Sequence, residues 1–342
     1  MRIGVLAPIT HPLPPDGYGP WERVAYETVE GFVELGHEVT LFAPNGAQTS
    51  AQRFVPTVSN PLTGSALDPR LTEELHIARA METATEEKLD VIHSHLHVHA
   101  LGYSRLIGCP LVSTLHGVAW NEVHHPFLEE YREQPFVSIS DSERRFLPSL
   151  NYVATVYNGI NLADFELTVE KDEYLLFAGR LAPEKAPDLA IEIARQSGHR
   201  LLIAGATEPR HQGFFEEKVD SKLGDGVEYL GAQSRSDLRG LLARAKAVLM
   251  PLRWDEPFGL VVVEALASGT PVIGWRRGAI PELIEDGRQG FLVSDVAEAV
   301  SAVGKLSQID PRAARAHVER RFSRRTMAQG YIEVFRRLVN RA

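Results

Sequence analysis

The sequence predicts an α/β protein of two doubly wound, Rossmann-like domains with a cleft between them. Three observations support this fold class: short apolar runs alternate with helix-period segments, the alternation restarts after residues 157–160, and 342 residues are enough for about two domains. Alternating buried strands and helices indicate a parallel sheet that is covered on both faces. Ligands of such sheets bind beyond the carboxyl ends of the strands, so the predicted cleft is the expected site.

The first half begins with an apolar strand at residues 2–8, followed by a loop rich in Pro and Gly at residues 10–20. Residues 21–35 have helical periodicity that ends at Gly36, and residues 37–43 resume as a strand. The remaining elements predicted in this half are strands at residues 90–93, 111–116 and 136–140 and a short helix at residues 142–147.

The second half repeats the alternation. Its predicted strands cover residues 173–178, 200–204, 227–230, 247–251, 271–275 and 290–293. Its predicted helices cover residues 186–196, 236–245, 259–268, 280–285 and 326–339. We therefore expect an N-terminal domain at residues 1–154, a C-terminal domain at residues 155–323, and a last helix, about 324–342, that crosses back to the first domain.

The charge distribution limits the classes of partner. Residues 1–150 carry 10 Lys and Arg against 19 Asp and Glu, whereas the remainder carries 26 of each, so the net charge of −9 arises in the first half. An acidic surface repels phosphate backbones and anionic headgroups, which disfavours nucleic acid and membrane association. No run approaches the roughly 18 apolar residues of a membrane helix, and we expect a cytoplasmic protein. The single cysteine, Cys109, excludes an internal disulfide and a multi-cysteine zinc site.

The strongest local pattern is the run from Glu256 to Glu264, which crosses from a loop into a helix. If the helix starts near Gly259, Glu256 lies in the loop and Glu264 on the second turn, so both carboxylates can face one ligand. The amides of Phe258, Gly259 and Leu260 then lie at the positive end of the helix. This arrangement predicts a phosphate site.

A second pattern runs from Gly179 to Lys185, directly after a predicted strand and therefore at its carboxyl end. Arg180 can bind phosphate oxygens bidentately, and Lys185 adds a mobile point charge. Together the two cations can neutralise a diphosphate leaving group. The alternative is that they only pair with Glu184 or Asp188 on a solvated turn.

Together these motifs resemble the retaining glycosyltransferases of family 4, which have the GT-B fold, and the likeness covers essentially the whole chain. The matching segments are residues 36–39, 90–95, 114–117, 138–142, 157–160, 179–185, 256–264, 277–282 and 290–293. The resemblance implies retaining transfer of a sugar from a nucleoside-diphosphate donor, with uridine as the favoured base. It also implies a soluble small-molecule or oligosaccharide acceptor, no cofactor and no metal ion.

Carried over residue by residue, the resemblance assigns roles in the second domain. It implies that Arg180 and Lys185 hold the donor diphosphate, that Glu256 accepts hydrogen bonds from the donor sugar, and that Glu264 binds the ribose hydroxyls. In such enzymes the departing phosphate oxygen takes the acceptor's proton on the same face of the sugar. The protein then contributes positioning and electrostatic stabilisation of the leaving group. Ala186 replaces a glycine that is frequent after the lysine.

In the first domain the resemblance places His116 under the donor sugar and predicts that the loop around Gly17 and Gly19 closes over the phosphates. Pro20 departs from the family pattern, which often has a second glycine there, and its missing N–H puts the loop's phosphate contact in doubt. Residues 14–20 are also similar to those of a family member from an orthosomycin antibiotic pathway.

Other histidines leave alternatives open. The alternating His93, His95, His97 and His99 would share one face of an extended strand, as in a metal site, but acceptor contact or loop packing explains them as well. The loop after His116 offers further candidates for acceptor contact, namely Trp120, His124 and His125.

Two other functions fit the same architecture. A sugar-nucleotide epimerase would leave the sugar attached to the nucleotide, and a non-catalytic binding protein would bind it without turnover. The presence of Arg180, Lys185 and Glu256 together favours an enzyme, because binding alone does not require all three.

Overall fold

The computed structural model describes residues 1–117 and 121–340, which form two compact units. Unit 1 comprises Met1–Ile160 and the chain from Phe322 onward, and unit 2 comprises Asn161–Arg321. The units therefore change over at residues 160 and 321, whereas the sequence predicts boundaries at residues 154 and 323. None of the helices formed by the described residues has the length and apolar character needed to cross a membrane.

Unit 1 is built on a parallel sheet in which the described residues form seven strands. In chain order these are β1 Arg2–Leu6, β2 Glu38–Pro44, β3 Arg53–Val58, β4 Val91–Ser94, β5 Leu111–Thr114, β6 Phe136–Ser138 and β7 Tyr152–Thr155. Their order across the sheet is β3-β2-β1-β4-β5-β6-β7. The helices between them are α1 Pro20–Glu34, α2 Pro69–Glu87, α3 His125–Glu130 and α4 Asp141–Arg144.

The apolar runs found in the sequence form the interior of this sheet. β1, β4 and β5 lie in the middle of the strand order, and their apolar side chains are buried. Burying such a side chain contributes about 1.5–3 kcal/mol. Helix α1 begins with Pro20, whose fixed φ suits the first helical position, and the chain turns at Gly36 with a φ of 79°.

Unit 2 repeats the architecture with a parallel sheet for which the described residues provide six strands. These are β8 Tyr174–Ala178, β9 Arg200–Ala204, β10 Val227–Gly231, β11 Ala247–Met250, β12 Val272–Trp275 and β13 Gly290–Val293, in the order β10-β9-β8-β11-β12-β13. Its helices are α5 Pro187–Ser197, α6 Gln212–Lys218, α7 Arg235–Arg244, α8 Leu260–Ala267, α9 Ile280–Leu283, α10 Val296–Val303 and α11 Pro311–Arg321.

The last helix, α12 Arg324–Val339, belongs to unit 1 and packs on α1. The two helices approach closely at Gly31, where a Cβ atom would lie 2.8 Å from the Cβ of Ala328. An ion pair between Arg324 Nε and Glu27 Oε2, 2.6 Å apart, joins the same helices. The chain thus returns to its first unit after completing the second.

Several elements of the structure were not predicted from the sequence. They are β3, β7, α2, α3, α6, α10 and α11. The two Rossmann-like, α/β sheets that the sequence predicts are confirmed.

Candidate active site

β8 and β11 are hydrogen-bonded neighbours in the middle of the unit 2 sheet. From β8 the chain builds one side of the sheet, and from β11 it builds the other, so the strand order reverses between them. Ligands of doubly wound sheets bind at this switch point, beyond the carboxyl ends of the strands. Both predicted motifs lie there, since residues 179–185 follow β8 and residues 251–259 follow β11.

The two loops are held together by Arg253. Its backbone N–H donates to the carbonyl of Glu184 at 2.9 Å, and its guanidinium forms two hydrogen bonds of 2.7 Å with the Asp188 carboxylate. Bidentate pairs of this kind fix geometry as well as charge. Asp188, a candidate partner of Arg180 and Lys185 in the sequence, thus binds Arg253.

Lys185 and Glu256 come from different loops and meet at this point. The Lys185 ammonium contacts Glu256 Oε2, and Trp254 Nε1 donates to the same oxygen at 3.1 Å. The ammonium also lies 4.7 Å from the centroid of a Trp254 ring, within range of a cation–π interaction. Glu256 is only 8 % exposed, so its carboxylate has little contact with water. Lys185 and Trp254 supply two donors to it.

The backbone of Glu256 is fixed from the opposite side by the turn after β12. The amide of Ala279 donates to the Glu256 carbonyl at 2.8 Å. A Cβ atom on Gly278, whose φ is 58°, would lie 2.3 Å from the backbone nitrogen of Glu256. Only glycine permits this close approach, so Gly278 belongs to the support of the site.

Arg180 lies between two carboxylates. Its guanidinium donates to Glu208 at 3.0 Å and lies 3.2 Å from Glu184, while Glu208 also binds Arg210 at 2.7 Å. The pairing of Arg180 with Glu184 was one alternative from the sequence, and Glu208, on the loop after β9, was not predicted. The Arg180 side chain remains 21 % exposed, which leaves it accessible to a ligand.

Helix α8 begins as predicted, with Gly259 at its N-cap in the left-handed region and Leu260 as its first residue. Among the described residues, no side-chain hydrogen bond caps this helix, so its amino end remains suited to an anion. Phe258, just before it, is buried. Glu264 lies on the second turn, and its carboxylate is 3.4 Å from Arg235 Nη2 of α7, a partner not shared with Glu256.

In unit 1, His116 follows β5 and belongs to a buried group of imidazoles. His95 Nδ1 and His116 Nε2 are 2.8 Å apart, and the two rings stack with centroids 5.1 Å apart. His97 Nδ1 contacts the carbonyl of Leu115, and its ring packs edge-on against His116. Nearby, His93 Nε2 lies 2.8 Å from a threonine hydroxyl on β5.

Burial keeps these rings neutral. Desolvation lowers the pKa of His93 to about 3 and that of His97 to about 4, and it holds the pKa values of His95 and His116 well below the ordinary range. A neutral imidazole can donate one hydrogen bond and accept another, but it offers no charge to a phosphate.

The described residues provide no ligand set for the metal site considered from the sequence. Among the described residues, no three His, Cys, Asp or Glu side chains are placed to hold one metal ion. His99 departs from the other three alternating histidines, because it is partly exposed and lies 3.4 Å from Glu73.

Comparison with known families agrees with this geometry. The family model for glycosyl transferases group 1 matches residues 161–317, and the model for glycosyltransferase family 4 matches residues 21–164. The chain is a GT-B glycosyltransferase. The two models divide the chain much as the two structural units do.

Individual relatives agree with the assignment. The glycosyltransferase is 29% identical to D-inositol 3-phosphate glycosyltransferase from Mycolicibacterium paratuberculosis, over 92% of this chain and 84% of the relative. The crystal structure of AviGT4, a glycosyltransferase involved in avilamycin A biosynthesis, is similar at 25% identity with a TM-score of 0.76, covering 100% of this chain and 99% of that one. Sucrose-phosphate synthase from Thermosynechococcus elongatus shares the fold, with a TM-score of 0.80, 20% identity and full coverage of both chains.

These findings decide between the functions considered from the sequence. The glycosyltransferase is an enzyme of the transferase class, which removes the non-catalytic binding protein from consideration. The matched families and the relatives named above give no support to the epimerase alternative.

The loop predicted to cover the donor phosphates has an acidic neighbour. Gly19 is the N-cap of α1, and the Glu22 carboxylate accepts a hydrogen bond from the His11 amide at 3.1 Å. A Cβ atom on Gly19 would lie 3.3 Å from Glu22 Oε2. Burial raises the pKa of Glu22, and in its ionised form this carboxylate would repel a phosphate at the loop. The roles of Gly17 and Gly19 stay predictions.

The acceptor candidates in the loop after His116 are described only in part. Trp120 lies outside the described residues. His124 and His125 lie at the start of α3, and both are partly exposed. Their contact with an acceptor stays a prediction.

Proposed function

We propose that this glycosyltransferase moves a sugar, with retention of anomeric configuration and without a metal ion, from a uridine-diphosphate sugar to a neutral small-molecule or oligosaccharide acceptor. The observation that carries the proposal is the contact of Lys185 with Glu256, which joins the loop that also carries Arg180 to the loop that leads into α8, at the switch point of the unit 2 sheet.

The donor diphosphate matches this charge distribution. A diphosphate carries at least two negative charges, and the site offers a guanidinium, an ammonium and the positive end of a helix. Arg180 presents a planar fork, and Lys185 a point charge that can follow the leaving oxygen. We assign Phe258, Gly259 and Leu260 to the phosphate through their backbone amides, and Glu264 to the ribose hydroxyls.

We assign Glu256 to the positioning of the donor sugar. Its Oε2 accepts from Lys185 and Trp254, so we assign its other oxygen to the hydroxyl groups of the donor sugar. In the transfer the bond from the anomeric carbon to the phosphate oxygen breaks, and the acceptor oxygen bonds to that carbon on the same face. The acceptor's proton goes to the departing phosphate oxygen, whose developing charge Lys185 and Arg180 stabilise.

The acceptor is proposed to be neutral because unit 1 is poor in available positive charge. Residues 1–150 are acidic, and the imidazoles around His116 are neutral. The mycobacterial relative is named for a phosphorylated acceptor, D-inositol 3-phosphate, and AviGT4 is involved in avilamycin A biosynthesis. We favour a neutral, polyhydroxylated acceptor, with His116 near the reacting carbon.

The test begins with a screen of UDP-, GDP- and dTDP-sugars for binding and for slow release of free nucleoside diphosphate, with and without EDTA. We expect UDP-sugars to be favoured, EDTA to have no effect, and the product formed with a neutral acceptor to keep the donor's anomeric configuration by NMR. Inversion, or a requirement for a divalent cation, would contradict the proposed mechanism. Faster transfer to D-inositol 3-phosphate than to neutral polyols would contradict the acceptor class.

Lys185→Ala tests the site directly, with Lys218→Ala as the matched control. Lys218 lies on α6 and is 44% exposed beside Glu217. Removing one preorganised donor from a leaving-group site costs roughly 100-fold in turnover, so we expect Lys185→Ala to lose about that much while the control retains its activity. Equal activities of the two variants would contradict the assignment of the site.

A further inference from the structure

The turn that carries His116 has an unusual backbone. β5 ends at Thr114, and His116 and Gly117 then adopt φ values of 50° and 93° in succession. The left-handed region costs a residue with a side chain roughly 1–2 kcal/mol, so the surrounding structure must hold His116 in this conformation.

A fully buried carboxylate holds the turn. Glu143, at the start of α4, accepts hydrogen bonds from two backbone amides: that of Gly117 at one oxygen, and that of Ile139 at the other, 3.0 Å away. Ile139 directly follows β6, the neighbour of β5. The carboxylate therefore joins the ends of two adjacent strands. Its own position is fixed by the Ser140 hydroxyl, which accepts from the Glu143 amide at 3.1 Å.

We propose that Glu143 is a positioning residue for sugar transfer, whose ionised carboxylate fixes the His116–Gly117 turn in the geometry that the reaction requires. The inference rests on the proposed role of His116. A glutamine at this position presents one accepting oxygen and one donating NH2 group, so it can satisfy only one of the two amides. A carboxyl group that has taken up a proton likewise keeps only one good acceptor.

The surroundings make the charge of Glu143 sensitive to pH near neutrality. Burial raises its pKa to about 7, against the opposing effects of its two amide donors and of Arg144 on its own helix. Two other titratable groups face it, Tyr152 on β7 and Tyr331 on α12, and burial raises the pKa of both phenols, so they remain neutral. Ionisation of the carboxylate is thus the charge change expected here between pH 6 and pH 8.

The first experiment compares the wild-type enzyme with Glu143→Gln, using Glu133→Gln as a matched control. Glu133 lies in the same unit with a side chain that is 84% exposed. We expect Glu143→Gln to lower kcat by roughly 10- to 100-fold, the loss typical of a small misplacement of a reacting group, and to leave the donor KM within about threefold. The control should match the wild type. A kcat for Glu143→Gln equal to that of the control would overturn the inference.

The second experiment measures the pH dependence of kcat, and its wild-type part stands even if the glutamine variant does not fold. We expect kcat to fall on acidification with a midpoint near pH 7, and the midpoint to disappear in Glu143→Gln. If Glu143 only stabilised the fold, its replacement would lower the melting temperature, and the wild-type kcat would not fall with a midpoint near pH 7. A flat wild-type profile between pH 6 and pH 8 would overturn the inference.

Two outcomes separate this inference from the proposed function. If no nucleoside-diphosphate sugar is turned over by the wild type, the proposed function fails. If His116→Ala loses activity while Glu143→Gln keeps it, the proposed function survives and the positioning role of Glu143 fails. Affinity for UDP, measured by calorimetry, should be the same in all variants, because the phosphate ligands assigned above lie in unit 2.

Discussion

Mild acid should unfold unit 1 before unit 2. Among the described residues, unit 1 holds five buried imidazoles: His76, His93, His95, His97 and His116. Desolvation lowers the pKa of each below the ordinary 6.5. Below pH 6.5 these histidines bind protons in the unfolded chain but stay neutral in the folded chain. The contribution of the neutral histidines to stability is therefore complete above pH 6.5. It is lost as the pH falls toward the folded pKa values.

The magnitude can be worked out for the three histidines whose pKa values fall to about 3 or 4: His76, His93 and His97. At pH 5 each costs the folded state about 2 kcal/mol relative to neutral pH, or about 6 kcal/mol together. Glu143 acts in the opposite direction, because its folded pKa of about 7 lies above the ordinary 4.5 and its stabilising effect grows as the pH falls. Between pH 7 and pH 5 it returns about 2 kcal/mol, so the histidines dominate.

The net loss from these four groups, about 4 kcal/mol, is a large part of the 5–15 kcal/mol that stabilises a typical domain. Urea denaturation at pH 7.5, 6 and 5 can be monitored by hydrogen exchange of individual peptides, which would report the unfolding of the two units separately. Unit 1 peptides should lose protection at lower urea as the pH falls. The reasoning would be refuted if the free energy of unfolding of unit 1 were the same at pH 7.5 and pH 5.

A variant isolates one histidine. His76 Nδ1 lies 2.5 Å from the Thr57 hydroxyl and Nε2 lies 3.0 Å from the Ala7 carbonyl, and an uncharged amide can replace part of this bonding. We expect His76→Gln to be less stable than the wild type at pH 7.5 but to lose about 2 kcal/mol less on going to pH 5. His211→Gln, at a partly exposed position in unit 2, serves as the control and should keep the wild-type slope. An unchanged slope in His76→Gln would show that its burial does not control the acid response.

Three further predictions concern unit 2. Gly278→Ala should reduce turnover more than 10-fold in a donor-hydrolysis assay, because its Cβ would lie 2.3 Å from the Glu256 backbone nitrogen. Ala186→Gly should change the free energy of unfolding by less than about 1 kcal/mol in urea, since relief of a φ of 54° offsets the lost methyl and the added chain entropy. Glu264→Gln, which removes the charge facing Arg235, should weaken uridine and UDP by the same factor, roughly 10-fold by calorimetry, whereas a loss confined to UDP would contradict a ribose contact.

The fold was predictable where apolar runs are continuous and fully buried, as in β8 and β11. It was not predictable where burial is partial. β3 is an edge strand with Pro56 in its middle and a mixed burial pattern, so it lacks the apolar run of an inner strand. Helix α2 exposes Leu71 and Leu75, which obscures the apolar face that helical periodicity depends on.

The candidate site was predictable to the extent that its residues follow strands directly. Their partners were not, because pairs such as Arg180 with Glu208 and Glu264 with Arg235 join segments far apart in sequence. Glu143 is different. It lies three residues after Ser140, the spacing of a capping box, and that local signal could have marked it even though its contact with Gly117 could not be foreseen.

Both donor-site cations are paired with carboxylates, and this pairing affects turnover. Lys185 contacts Glu256, and Arg180 lies between Glu184 and Glu208. An incoming diphosphate therefore meets cations whose charge is already partly neutralised, and departure of the product does not leave a partly buried cation without a partner. The pairing also restricts two long side chains in advance, which lowers the entropy lost on binding. The first effect moderates product affinity, and the second keeps the cations in place for the charge that develops on the leaving oxygen, which a transferase must stabilise more than it stabilises its bound substrate.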